Sequence, residues 1–252
     1  MPAEVKILVD GTTNADDIGE AGEEHTQPTV TLVRDGDIVM VVDPGILESQ
    51  QILVDAFKKA GLTVGDVNLV CVTHSHLDHY RNVGMFSDAK TLDYWGLWSG
   101  NKIKSWSENF SDNIKIFHTP GHDYTSITVF VKTEEGVVAM CGDVFWKEGY
   151  PHSPHDDAFA SNPERLIESR SQVLKMADWI VPGHGPMYKN VVKEEPMANA
   201  KGRPKETKIT VICKNCGAEM KQREKCQCRP YLCYRCCECG LDCMACSCSH
   251  RK

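Results

Sequence analysis

The sequence of 252 residues has neither a long hydrophobic run nor the pattern of a secretory leader. No stretch of about 18 apolar residues occurs, which excludes a membrane-spanning helix and predicts no membrane partner. The first ten residues hold a short apolar run without a basic start or a small-residue cleavage site, so they predict a first strand and not a signal peptide. We therefore expect a cytoplasmic protein.

Cysteine and basic residues are scarce in the first 200 residues. Only Cys71 and Cys141 of the 13 cysteines lie there, and 16 Lys and Arg stand against 30 Asp and Glu, a formal charge of −14. Residues 201–252 hold the other 11 cysteines and carry +7, from 12 basic and 5 acidic residues. This step in composition predicts a domain over residues 1–192, a linker over 193–208 and a cysteine-rich tail over 209–252.

The first domain has the pattern of an α/β layered fold. Runs rich in Val, Ile and aromatic residues predict strands at 29–33, 38–42, 68–73, 114–118, 126–131, 137–141 and 179–181. Apolar residues at helical spacing predict a helix at 48–60 that stops at Gly61, and a second at 164–176. Asn162 is a suitable N-cap for the second helix, and Pro163 suits its first position. Mixed strands and helices over about 190 residues predict packed layers.

Seven potential metal ligands follow the predicted strands. His74, His76, Asp78 and His79 lie within six residues, directly after the apolar strand at 68–73. Three more lie in turns after later strands: His122, Asp143 and His184. Neutral imidazoles suit Zn²⁺ and its neighbours in the first transition row, and the carboxylates add hard oxygen ligands. Because each of these turns lies just beyond a strand, we expect the seven side chains to meet at one edge of the sheet.

The pattern His-x-His-x-Asp-His, followed by a His, an Asp and a His, resembles the metallo-β-lactamase superfamily over about residues 1–190. The resemblance implies an αββα sandwich with two divalent metal ions at one edge. One ion would be held by His74, His76 and His122, the second by Asp78, His79 and His184, and Asp143 would bridge them. Asp43 matches an early Asp of the family that supports a ligand histidine from behind. Zn²⁺ is the expected ion, with Fe or Mn as alternatives.

The expected chemistry is hydrolysis. Two divalent cations about 3.5–4 Å apart lower the pKa of a shared water from near 16 toward 7, so a metal-bridging hydroxide is the expected nucleophile. We assign Asp78 the catalytic role of orienting it or accepting its proton. Flavodiiron-like oxygen reductases carry Glu at the position of His76, and the antibiotic-hydrolysing lactamases lack the residue corresponding to His79. Both differences favour a binuclear hydrolase of another kind.

The substrate is predicted from weaker signals. The compact layout of the motifs resembles the small proteins grouped with the animal metallo-β-lactamase domain-containing protein one, which are associated with RNA cleavage. This favours an endoribonuclease acting on phosphodiester bonds of RNA or nucleotides. A small-molecule acyl hydrolase, a thioesterase or lactonase with glyoxalase II-like chemistry, is the alternative, because an acidic domain suits a polyanion poorly. A non-catalytic metal-dependent adaptor is the third hypothesis. A deep apolar pocket beside the metals would favour the acyl hydrolase, and an open basic groove the nuclease.

Four side chains are candidates for substrate contact. Trp95 and Trp98 lie in residues 92–110, which we predict to be a loop that either stacks against bases or forms a partly buried lid. His152 and His155 either contact substrate or donate a proton to it, or they are exposed loop residues. His118 matches no ligand position, and we expect it to be structural.

The tail has the pattern of a zinc ribbon. Cys213-Lys-Asn-Cys216-Gly217 and Cys236-Cys237-Glu-Cys239-Gly240 are CxxCG knuckles 19 residues apart, and a knuckle of Cys233 with Cys236 is also open. We predict one to three structural zinc ions, with another soft metal or a thiolate cluster, or disulfides, as the alternatives, and expect the tail to dock either protein or nucleic acid. The candidate ligands are Cys213, Cys216, Cys226, Cys228, Cys233, Cys236, Cys237, Cys239, Cys243, Cys246, Cys248 and His250.

Overall fold

The computed structural model describes residues 2–17 and 22–194, together with two short strands, Thr210–Ile212 and Glu219–Lys221, that pair antiparallel. The chain divides into two compact units, Met1–Glu195 and Pro196–Lys252. The predicted linker and tail boundaries stay predictions, and the eleven tail cysteines and His250 lie outside the described residues. None of the helices in the described part is both long and apolar enough to cross a lipid bilayer.

Two mixed sheets and a small hairpin form the first unit. The strands are β1 Glu4–Val9, β2 Thr12–Thr13, β3 Thr26–Gln27, β4 Val30–Asp35, β5 Ile38–Val42, β6 Leu69–Cys71, β7 Lys90–Leu92, β8 Leu97–Ser99, β9 Lys102–Lys104, β10 Ile114–His118, β11 Ile127–Thr133, β12 Gly136–Met140, β13 Trp179–Val181 and β14 Tyr188–Lys189. The first sheet has the order β1-β4-β5-β6-β7-β8-β9, the second β10-β11-β12-β13-β14, and β2 pairs with β3.

The strands that precede most of the candidate ligands are parallel to their neighbours. β5 pairs with β6, and β6 with β7, in parallel; β12 pairs with β13 in the same way. The carboxyl ends of parallel strands lie at the same edge of a sheet, so the turns that follow them are brought together.

Three α-helices complete the unit: α1 Gln50–Lys59, α2 Leu77–Tyr80 and α3 Pro163–Met176. Short 3₁₀ helices lie at Val64–Asp66, Val83–Met85, Gly142–Val144, Pro154–Asp156 and Val191–Glu194. The caps of the long helices follow from the sequence. Ser49 accepts a hydrogen bond from the Gln51 amide at the start of α1, and Asn162 accepts one from the Arg165 amide at the start of α3.

Three apolar clusters bind four layers together. The central cluster joins the inner faces of the two sheets, with Met40 and Leu92 from the first and Ile116 and Val129 from the second. A second cluster packs α1 on the outer face of the first sheet, and a third packs α3 on the outer face of the second. The predicted αββα sandwich is therefore confirmed for the first unit.

The prediction of a loop over residues 92–110 is wrong for part of that stretch. The segment contains β8 and β9, which extend the first sheet at its edge. These strands have three residues each, and glycines at positions 96 and 100 interrupt the run. Such short segments lack the alternation over four to eight residues from which a strand is recognised. The β2–β3 hairpin escaped prediction for the same reason.

Candidate metal centre

All seven predicted ligands lie at one edge of the sandwich, in turns that follow strands. His74 and His76 follow β6. The short helix α2 comes directly after them and carries Asp78 and His79. His122 follows β10, Asp143 lies in the 3₁₀ helix after β12, and His184 follows β13. Side chains from both sheets thus converge on one point.

The side chains form two adjoining groups, in each of which every residue offers a ligand atom within 4.8 Å of the others. The first group consists of His74, His76 and His122 with Asp143, and the second of Asp78, His79 and His184. In the first group His76 Nδ1 lies 3.1 Å from Nε2 of His74 and 3.1 Å from Nε2 of His122. In the second, His79 Nε2 lies 3.3 Å from His184 Nε2.

The Asp143 carboxylate lies between the two groups. Its Oδ2 is 3.3 Å from His122 Nε2 and 3.3 Å from His184 Nε2, and its Oδ1 is 3.4 Å from His79 Nε2. The carboxylate therefore faces histidines of both groups at once, which is the position that a bridging ligand requires.

The histidine nitrogens that point away from the centre are hydrogen-bonded. His79 Nδ1 lies 3.0 Å from Asp43 Oδ2, and His122 Nδ1 lies 2.8 Å from Asp157 Oδ2. His184 Nδ1 lies 3.1 Å from the Gln27 carbonyl. Because an ionised carboxylate and a carbonyl only accept hydrogen bonds, these three histidines carry their proton on Nδ1. In the neutral form of each ring, Nε2 is the nitrogen without a proton, and it faces the centre.

This arrangement fits a pair of divalent cations. Nε2 of His79 and Nε2 of His184 lie 3.3 Å apart, which is about the spacing of two ligands in a tetrahedral site with bonds near 2.05 Å. Asp143 Oδ1 is buried and has no hydrogen-bond partner among the described residues. A buried carboxylate oxygen without a donor is costly, and a cation would satisfy it.

The electrostatics of the centre favour the ligand forms of His74 and Asp143. Burial lowers the pKa of His74 well below its usual value, and neighbouring His79 lowers it further, so this imidazole is neutral at neutral pH. Burial raises the pKa of the Asp143 carboxyl, but the surrounding histidines outweigh it and hold that pKa well below its usual range. A neutral imidazole and an ionised carboxylate are the forms that bind metal. For His79 and His184, burial lowers the pKa, but the Asp143 carboxylate outweighs it and raises the pKa of both rings, so an ion must compete with protons there.

An open groove of about 550 Å³ runs over both groups. Its walls contain five large apolar or aromatic side chains: Ile46, Leu77, Tyr80, Trp146 and Phe159. Apart from the ligands, the polar side chains that line it are Glu24, Thr26 and Ser75; no Lys or Arg is among its lining residues in the described part of the chain. A recess of about 310 Å³ adjoins the groove, and the two share Ser75 and Tyr80.

The candidate substrate-contact residues lie outside this groove. Trp95 is an exposed ring near Tyr94 and Tyr124, and Trp98 lies on β8, half-buried. His152 lines a different cavity beside α3, and His155 lies 3.8 Å from Glu164. Substrate contact by these four stays a prediction. His118 packs against the Tyr94 and Trp106 rings and belongs to neither ligand group.

Sequence reasoning missed two residues of the centre. Thr26 on β3 donates a hydrogen bond to Asp78 Oδ2 (3.2 Å), and its hydroxyl lies 3.1 Å from His184 Nδ1. Asp157 contacts His122 from the loop before α3. Thr26 looks like any strand threonine, and Asp157 is one of several polar residues in a loop. Asp43, which was predicted, accepts hydrogen bonds from the Thr73 amide and hydroxyl besides contacting His79.

Comparison with known proteins agrees with this geometry. Residues 24–96 match the sequence pattern of the family described as the metallo-β-lactamase superfamily. The protein named metallo-β-lactamase domain-containing protein 1 of Xenopus laevis is 31% identical over 206 residues, which cover 78% of this chain and 85% of that protein.

Solved structures share the fold. A candidate metallo-β-lactamase of Thermotoga maritima superposes with a TM-score of 0.59 at 24% identity, over 75% of this chain and all of that one. AidC, described as a dizinc quorum-quenching lactonase, superposes with a TM-score of 0.52 at 16% identity, over 65% of this chain and 74% of that one. The Xenopus relative, the family pattern and the converging ligands lead to one conclusion. The chain belongs to the metallo-β-lactamase superfamily and is a metal-dependent hydrolase.

Proposed function

We propose that this hydrolase is binuclear and cleaves an acyl bond, that of an ester, lactone or thioester, in a small molecule with an apolar part. His74, His76 and His122 would hold one divalent ion and Asp78, His79 and His184 the other, with Asp143 as the bridging ligand. When bound, such a pair of ions lowers the pKa of a water molecule and stabilises negative charge that develops on the substrate.

The chain's own residues would orient and deprotonate the attacking water. Asp78 lines the groove, and its Oδ2 is fixed by the Thr26 hydroxyl at 3.2 Å. The same oxygen lies 3.5 Å from His184 Nε2 and 3.7 Å from His79 Nε2, beside the second group. A carboxylate held in this position can hold a water between itself and a substrate on the groove floor, and accept its proton. We assign that role to Asp78.

The side chains that line the groove support the choice of an acyl substrate with an apolar part. Leu77 and Phe159 are 48% and 54% exposed although they are large and apolar, and both stand beside the ligand groups. Such a surface gains free energy by covering an apolar group. A phosphodiester would need cationic partners, and no Lys or Arg lines the groove in the part of the chain that the structure describes, which leaves only the ions it would bind. AidC, which its name describes as a lactonase, has the same fold. This likeness agrees with the proposal, but the proposal rests on the lining of the groove.

Phosphodiester hydrolysis, which the motif layout favours, is the second candidate. The observation in its favour is a group of exposed rings beside the recess: Trp95 and Tyr124 are 58% and 60% exposed, and both pack edge-on against Tyr94. Exposed aromatic rings can stack against nucleobases.

A substrate panel on the zinc-loaded full chain tests the proposal. It contains p-nitrophenyl and thioester substrates with acyl chains of two to ten carbons, acyl homoserine lactones, bis(p-nitrophenyl) phosphate and a single-stranded RNA. We expect turnover of the acyl substrates, with kcat/KM rising by up to about fourfold per added methylene, since a buried methylene is worth about 0.8 kcal/mol. Phe159→Ala should flatten this series, and Ile167→Ala, an exposed apolar residue on α3 outside the groove's lining, should not.

The panel separates the alternatives. Cleavage of RNA without turnover of any acyl substrate would overturn the acyl assignment in favour of the phosphodiester. Asp78→Asn, prepared in parallel, shows whether any RNA cleavage comes from a contaminating nuclease. A fully loaded protein that turns over nothing in the panel would support the non-catalytic adaptor.

A further inference from the structure

Asp157 is a buried carboxylate that binds both a candidate metal ligand and the wall of the groove. Its side chain is fully covered, and its Oδ2 lies 2.8 Å from His122 Nδ1. The same oxygen accepts a longer hydrogen bond, 3.3 Å, from Trp146 Nε1, and Oδ1 accepts one of 3.0 Å from the Phe159 amide. A carboxylate that is buried away from water requires hydrogen-bond donors in place of water, and these three contacts supply them.

The contact with Asp157 determines which nitrogen of the His122 ring carries the proton. The carboxylate accepts the Nδ1 proton, which leaves Nε2 without one. Nε2 then points to His76 Nδ1 at 3.1 Å and to Asp143 Oδ2 at 3.3 Å. Without Asp157 the ring would be free to carry its proton on either nitrogen, and only one of the two forms offers Nε2 to a cation.

The other two contacts reach the apolar wall. The Trp146 and Phe159 rings stack with centroids 5.7 Å apart and an interplanar angle of 29°, and both line the groove. A single carboxylate thus fixes the position of a ligand histidine relative to the surface against which substrate would lie.

The loop that carries Asp157 is itself anchored to α3. Arg170, which is 8% exposed, donates from Nε to the Val144 carbonyl (2.7 Å) and from Nη1 to the Pro151 carbonyl (3.0 Å). Its guanidinium also lies 5.0 Å from the Phe145 ring centre. Arg170 therefore ties α3 to the loop before Asp157 at two points, Val144 and Pro151. The carboxylate is held in place before any ligand binds.

We propose that Asp157 is a positioning residue that sets the tautomer of His122 and thereby the affinity of the first group for its ion. The inference rests on the proposed function, because it takes His122 as a ligand.

Asp43 has the matching place in the second group, 3.0 Å from His79 Nδ1. Asp157 contacts a histidine of the first group only, so removing it should weaken that group alone. Asp43 also accepts from the Thr73 hydroxyl, which lies 3.1 Å from His74 Nδ1, so removing Asp43 reaches both groups.

Histidine NMR on the full chain tests this. Long-range ¹H–¹⁵N spectra resolve both ring nitrogens of each histidine, and a zinc titration in a chelator buffer follows each group through its own signals, apart from zinc bound by tail cysteines. In the wild type we expect His122 as a single tautomer with the proton on Nδ1. Asn at position 157 can accept from the ring or donate to it, and it lacks the charge, so Asp157→Asn should give mixed tautomers.

The titration gives the second readout. In Asp157→Asn the His76 and His122 signals should shift only at about 10–100-fold higher free zinc, the range found for partners of ligand histidines, while those of His79 and His184 stay as in the wild type.

In Asp43→Asn the His79 and His184 signals should shift only at higher free zinc. Those of the first group should move as well, because Asp43 also holds Thr73, which contacts His74. Asp43 has φ +51°, a conformation that Asn adopts readily, so this variant keeps its backbone.

Two further variants serve as controls. Asp156→Asn changes the exposed neighbouring carboxylate and should alter neither readout. Trp146→Phe removes the Nε1 donor but keeps a ring in the wall, and should leave the His122 tautomer unchanged.

The outcomes distinguish failure of the role assigned to Asp157 from failure of the proposed metal-binding function. If zinc shifts no His122 signal in the wild type, the ligand assignment itself fails. If zinc binds but Asp157→Asn leaves the first group's midpoint within about threefold of the wild type, or weakens both groups equally, Asp157 does not act through His122. Should that variant fail to fold, the wild-type spectrum still decides, because a His122 proton on Nε2 contradicts the proposal.

Discussion

At the scale of single residues, the centre depends on side chains that hold the ligands as much as on the ligands. Asp43, Asp157 and Thr26 each contact the nitrogen of a histidine that faces away from the centre. These contacts remove the freedom of the rings to rotate or to shift a proton. A ligand set ordered in this way loses less entropy when it binds its ions.

Replacing Asp78 tests the assignment of the proton acceptor. Asn is close in shape to Asp but lacks its charge, so Asp78→Asn should lower kcat by about 10² to 10⁴ while the first group keeps its ion. Turnover on the best panel substrate and the metal content are measured on the same sample. Asp88→Asn, an exposed carboxylate, is the control. Near-normal turnover in Asp78→Asn would show that the proton goes elsewhere.

A glycine beside the bridging carboxylate should not tolerate a methyl group. A Cβ on Gly183 would lie 1.7 Å from Asp143 Oδ1, so Gly183→Ala must displace the carboxylate that faces both groups. We expect loss of metal from both groups, read from the histidine signals in a zinc titration. Gly84→Ala, whose added Cβ would meet no atom within 4 Å, should bind as the wild type does. Unchanged binding in Gly183→Ala would mean that Asp143 is not a shared ligand.

The sequence predicted the candidate ligands and one supporting residue, Asp43, but not Asp157, for a physical reason. His74, His76, Asp78 and His79 lie within six residues, and such a density of ligands after an apolar strand is conspicuous. Asp157 is separated from His122 by 35 positions, and only the folded loop brings the two together. A single residue whose partner is distant in sequence leaves no local pattern to detect.

At the scale of secondary-structure elements, α3 holds the turn that carries His122. Leu166 is fully buried, and the backbone of Gly121 packs so closely on it that a Cβ there would lie 2.4 Å from Leu166 Cα. Ser169 adds a hydrogen bond of 2.7 Å to the Pro120 carbonyl. The position of one ligand therefore depends on the packing of this helix.

Truncation of that contact should reduce stability. Leu166→Ala removes a side chain from the third apolar cluster, and we expect the free energy of unfolding to fall by about 2–5 kcal/mol. Ile167→Ala, one position along but 43% exposed, should change it by about 0.5 kcal/mol or less. Urea unfolding of the metal-free proteins measures both. Equal effects would mean that α3 does not pack as described.

The accuracy of the element predictions followed length for the helices and apolar character for the strands. α1 and α3 have 10 and 14 residues with apolar residues at helical spacing, and both were predicted within about two residues of their bounds. β6 and β13 have only three residues each but are continuous apolar runs, and both were predicted. β7, β8 and β9 are equally short and mix apolar residues with Lys, Thr or Ser, so they show neither an apolar run nor a long enough alternation. Their place is decided by pairing with β6 and with each other, which is information that no local window contains.

At the scale of the whole molecule, charge and composition separate the two parts of the chain. The acidic balance of residues 1–200 agrees with a groove that has no basic lining among the described residues. The basic, cysteine-rich remainder keeps its predicted zinc sites and its predicted role in docking protein or nucleic acid as proposals.

Anomalous scattering from a crystal of the full chain, grown with zinc and measured above and below the zinc absorption edge, tests the binuclear centre most directly. We predict two peaks at the centre, about 3.5–4 Å apart, besides those of any zinc bound by tail cysteines. One should lie among His74, His76 and His122, the other among Asp78, His79 and His184, each within bonding distance of Asp143. A single peak at the centre of the fully loaded crystal, or two peaks there of which neither contacts Asp143, would contradict the binuclear proposal.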